Sequence, residues 1–69
     1  MPLTLLKPGE KSIISHIGGN PETRQHLVDM GFTVGSEVMV VSELAGNVIV
    51  TVKDTRVAIS KEMATKIHV

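Results

Sequence analysis

The chain has 69 residues, no cysteine, and seven acidic against seven basic residues, for a formal net charge of zero. The missing thiol excludes disulfides, thiolate metal sites and cysteine nucleophiles, and the balanced charge argues against a surface that tracks phosphates. With one Phe and neither Trp nor Tyr, no aromatic platform exists for stacking bases or gripping a proline helix.

Residues 1–69 are expected to form one small domain, a size that buries only about 60% of its unfolded surface. No apolar run reaches the roughly 20 residues needed to cross a bilayer. MPLTLLKPGEK has too short an apolar run and no charged lead-in for a signal peptide. A cytoplasmic location is the expectation.

Leu3, Leu5 and Leu6 form a short apolar opening, closed by Lys7-Pro8-Gly9-Glu10, a strong turn signal. Lys11 to Ile17 follows as one strand, with Ile13 and Ile17 on one face and Ile14 with His16 on the other. Its imperfect alternation suits a strongly bent barrel strand. Gly18-Gly19 breaks that strand.

Asn20 to Gly35 holds the one multi-turn helix signal. Asn20 is an N-cap, Pro21 fits the first helical position, and Glu22 suits the positive end of the helix dipole. Thr23, Leu27 and Met30 form the inward stripe, flanked by Arg24 and Val28 on one side and His26 on the other. Glu22, Gln25 and Asp29 face water. Gly31 supplies the left-handed closing residue, which places Phe32 against Leu27. Thr33-Val34-Gly35-Ser36 reads as a tight turn with positive φ at Gly35.

From Ser36 onward the pattern is strand and turn. Glu37 to Leu44 sets Val38 and Val40 against Met39 and Val41, and Ala45-Gly46-Asn47 is a hairpin loop. Val48 to Lys53 alternates cleanly, Asp54-Thr55 turns the chain, and Arg56 to Ser60 faces Val57 and Ile59 inward. Ser60 caps a single helical turn, Lys61 to Ala64. Lys66 to Val69 is a terminal strand with Ile67 and Val69 on one face. The expected fold is mainly β with one inserted helix, a small, partly open, SH3-like barrel.

Few residues read as chemistry. The serines sit in no nucleophile-elbow context and no glycine pattern matches a phosphate loop, so no enzyme and no cofactor are expected. Gly18-Gly19 before the helix reads as a hinge rather than an anion site. Glu22 and His26, at i,i+4, are weak metal candidates because a tetrahedral site needs three or four converging ligands. His16 and His68 both fall on strands, and their separation is open.

Several segments together resemble the FeoA family of bacterial ferrous iron transport. They are LTLLKPG from Leu3 to Gly9, Ile17, Arg24-x-x-Leu27-x-x-Met30-Gly31-Phe32, and Val34-Gly35-Ser36-Glu37-Val38. Val57-Ala58-Ile59 and Ala64-x-x-Ile67-His68-Val69 complete the match. The resemblance marks Arg24, Leu27, Met30, Gly31 and Gly35 as fold-critical. Three departures concern loops: Val34 where the family commonly has proline, the short Ala45-Gly46-Asn47, and Ser60 where a basic residue is common.

Membership would imply an accessory role on the cytoplasmic part of an FeoB-type membrane transporter, which carries a GTP-binding domain. The candidate partner face is the outer side of the helix, Glu22, Gln25, Val28 and Asp29. The alternatives are a ferrous or zinc carrier or sensor and a nucleic-acid-binding SH3-like barrel.

Overall fold

The computed structural model describes residues 1–69. Helix α1 runs from Pro21 to Asp29. Its first turn is closed by Asn20, whose Oδ1 accepts a hydrogen bond from the Thr23 N–H at 2.8 Å. At the other end the Gly31 N–H donates to the Val28 carbonyl and the Phe32 N–H to the Leu27 carbonyl. These two bonds form a Schellman motif with Gly31 at φ +104. Leu27 is the one fully buried residue of α1, with Thr23 half-buried beside it and Met30 packed against the core just beyond.

A Cβ on Gly31 would meet Val52 Cγ1 at 3.6 Å, an ordinary contact. The cost of Gly31→Ala is therefore conformational and is expected to be about 1 kcal/mol or more. A denaturant melt matching the parent within error would contradict the cap.

The sheet is built from β1 (Lys11–Ile13), β3 (Glu37–Leu44), β4 (Asn47–Val52) and β5 (Thr55–Ser60), in the order β1-β3-β4-β5 and antiparallel throughout. Val38, Val40, Val48, Val50, Val52 and Ile59 all point to one side and are buried there. Between Val40 and Ser42 the register shifts, leaving Val41 as an extra residue. Such a bulge bends the strand and raises its twist, which a small barrel needs.

The first hairpin loop is one residue tighter than the sequence pattern suggests, and the second turn lies one position earlier. Ala45-Gly46 and Lys53-Asp54 are two-residue turns with positive φ at both positions, the geometry that matches the twist of flanking strands. Asn47 therefore opens β4 opposite Leu44, and Thr55 opens β5 opposite Val52.

The expected single strand from Lys11 to Ile17 is instead two. β1 pairs with β3, whereas β2 (His16–Ile17) pairs with β6 (Ile67–His68) in a separate two-stranded ladder. The Ile14 N–H donates to the Ser36 carbonyl and the Ser15 N–H to the His68 carbonyl, so the chain changes partner at this point. The change regroups the expected faces, joining Ile14 to Ile17 and leaving Ile13 outside with His16. Ile14 is 1% exposed and Ile17 is buried with it, whereas Ile13 is 52% exposed.

Leu3, Leu6, Phe32, Ala64 and Ile67 complete a contiguous apolar core of 14 residues. Leu3 sits on a short 3-10 turn, Leu3–Leu5. Ala64 belongs to α2 (Lys61–Ala64), whose Met63 N–H donates to Ser60 Oγ at 3.2 Å. A four-stranded sheet closed by a two-rung ladder, with α1 between β2 and β3, is the expected partly open barrel.

Candidate functional site

No polar or charged side chain is buried, so any site lies on the surface. Two grooves flank α1. The first, of about 490 Å³, is walled by His16, Pro21, Arg24, Val28 and Val34. Its apolar centre has two sources. Val28, on the helix, is 41% exposed, and Val34, on the following turn, is 64% exposed.

Turn geometry explains Val34. The Ser36 N–H donates to the Thr33 carbonyl at 3.1 Å, and the Gly35 N–H donates to the Ile14 carbonyl at 2.8 Å. Gly35, at φ +92, takes the third position of the turn, where a type II turn requires positive φ. The turn is thus tied down on both sides of Val34, which projects from its corner beside the helix. A β-branched apolar residue at an exposed turn corner was a legible signal, because such corners favour Gly, Pro, Asn, Asp and Ser.

The second groove, of about 580 Å³, lies on the opposite flank and is walled by Glu22, Thr23, His26, Asp29 and Met63. Gln25 lines both grooves. Its Nε2 donates to Asp29 Oδ1 at 2.8 Å, one helical turn along. The four residues expected on the partner face are therefore all exposed on α1. Val28 belongs to the apolar groove, Glu22 and Asp29 to the polar one, and Gln25 stands on the ridge between.

The Arg24 side chain is exposed, forms no hydrogen bond or ion pair, and walls the apolar groove. Leu27, Met30, Gly31 and Gly35 keep the structural positions expected of them.

Glu22 and His26 share the polar groove, but no group of three or more His, Asp or Glu side chains converges there or elsewhere. His16 and His68, whose separation the sequence left open, stand directly opposite each other in the β2–β6 ladder. A third, polar groove of about 400 Å³ sets Lys11 and Lys53 among Glu37 and Asp54. Its paired signs offer no basic stripe for a phosphate backbone. No helix is long and apolar enough to cross a membrane.

The FeoA domain family profile matches residues 1–69. A Methanocaldococcus jannaschii protein named "Putative Fe(2+) transport protein A" is 37% identical over 68 residues, spanning 99% of this chain and 83% of its own. The crystal structure of an iron uptake regulatory protein, FeoA, is 35% identical with a TM-score of 0.89, over 97% of this chain and 91% of that one. Stenotrophomonas maltophilia FeoA complexed with zinc, described as a prokaryotic SH3 domain protein, shares the fold at a TM-score of 0.85 and 23% identity. It is matched over 99% of this chain and 87% of its own. The profile over the whole chain and the 37% identical relative both show that the chain belongs to the FeoA family.

Proposed function

We propose that the chain is an accessory of ferrous iron uptake that docks, from the cytoplasm, on the cytoplasmic part of an FeoB-type transporter. The observation that carries this reading is the apolar groove, where Val28 and Val34 form a hydrophobic centre within a rim of Arg24, Gln25 and His16. An apolar centre with a polar rim suits a modest, reversible protein interface. Family membership supports the link to ferrous transport.

The test uses Gln25→Arg and Val28→Glu, alone and together. Both positions are exposed, so stability should stay within about 1 kcal/mol of the parent. A carboxylate at position 28 removes the apolar centre, and binding to the transporter's cytoplasmic part should weaken by about tenfold or more. The folded double variant should then fail to restore ferrous uptake in a strain lacking the native gene. Full uptake would remove this groove from consideration and turn attention to the Ala45-Gly46 hairpin, whose neighbour Leu44 is 68% exposed.

A further inference from the structure

The β2–β6 ladder brings together two imidazoles that lie 52 positions apart in the chain. His16 and His68 are Cα partners, so their side chains leave the same face of the ladder. Their ring centroids are 5.5 Å apart, with the ring planes tilted by 39°. His16 is exposed and His68 half-buried, so water and ions reach the pair.

This spacing suits a chelate. With metal–nitrogen bonds of about 2.0–2.1 Å, each ring centroid lies roughly 3.2 Å from the ion. Two rings at a tetrahedral angle then stand about 5.2 Å apart, close to the distance seen here. The backbone holds both ligands: the Ser15 N–H donates to the His68 carbonyl, and the Gly18 N–H donates to the Lys66 carbonyl. The ladder therefore fixes the spacing of the two backbone positions before any ion arrives. Glu22 and His26 have no comparable cross-strand frame.

We infer that His16 and His68 form an exchangeable binding site for a divalent transition cation of borderline softness. Two imidazoles select such ions over magnesium or calcium, which require oxygen ligands. The remaining coordination positions are filled by water, which makes the site open and reversible rather than structural. The inference rests on the ladder alone and is independent of docking at the apolar groove.

The experiment titrates untagged protein with zinc in a non-chelating buffer and follows the ring resonances of all three histidines by NMR. One-to-one binding should shift the His16 and His68 signals together and leave His26 in place. His16→Gln and His68→Gln should each weaken binding by about tenfold or more, because either change removes the chelate. His26→Gln should leave binding unchanged, and magnesium should move none of the rings. His16 occupies an exposed position, so its variant tests the site without disturbing the core. Equal affinity in the parent and the folded His16→Gln variant would overturn the inference, as would zinc shifts centred on His26.

Discussion

Phe32→Ala is expected to leave the chain unfolded or barely folded at room temperature. Phe32 is the only aromatic residue of the F, W, Y set and heads the fully buried side chains by volume, at 0% exposure. Truncating such a ring costs about 3–5 kcal/mol, combining lost transfer energy with the cavity left behind. A chain of this length has a total stability of only about 3–10 kcal/mol. One substitution therefore removes a large share of what holds the barrel. The position also closes α1 through its N–H, which donates to the Leu27 carbonyl. That bond survives in the variant because it is backbone, so the loss measured is packing rather than capping. Urea melts read by circular dichroism decide the matter. A midpoint that implies less than about 1 kcal/mol of loss would mean the core can collapse around the gap.

The second large effect is a contrast between neighbours. Ile14→Ala should cost about 2–5 kcal/mol, whereas Ile13→Ala should cost less than about 1 kcal/mol. Both are isoleucines in the same short segment, so intrinsic propensity cannot separate them. What separates them is the change of partner at Ser15, which turns Ile14 into the core at 1% exposure and leaves Ile13 at 52%. Paired denaturant melts with similar m-values would measure the difference directly. The opposite ranking would restore one continuous strand from Lys11 to Ile17 and remove the basis for a separate β2–β6 ladder.

That contrast also marks where a sequence stops being legible. Features set by neighbours along the chain could be read: the Asn20 cap, the Gly31 closure, the alternation of Val48, Val50 and Val52, and the Ser60 cap. Each depends on bonds or periodicity spanning a few residues. Features set by distant partners could not. The break after Ile13 depends on Ser36 and His68, which lie 22 and more positions further along the chain. The His16–His68 pairing depends on β6. The first hairpin loop was expected one residue too long and the second turn one position too late, because Asn47 and Thr55 suit either a loop or a strand end and cross-strand register decides. At the candidate interface, Gln25 and Val28 were found by placing the helix on a wheel. Val34 was missed although its apolar side chain at a turn corner was a signal; its position beside the helix is a tertiary fact. Arg24, grouped with fold residues through its motif, stands exposed on the groove wall.

Helix α1 is anchored to the barrel by very little. Of its nine residues only Leu27 is fully buried, and the bonds that define its two ends run through Asn20 and through backbone groups. Most of its surface is therefore under no obligation to the core. Substitutions at Glu22, Arg24, Gln25, His26, Val28 and Asp29 can accumulate without the barrel registering them. If α1 is the docking face, what it binds can drift while the scaffold stands still, and a lineage can revise one without renegotiating the other.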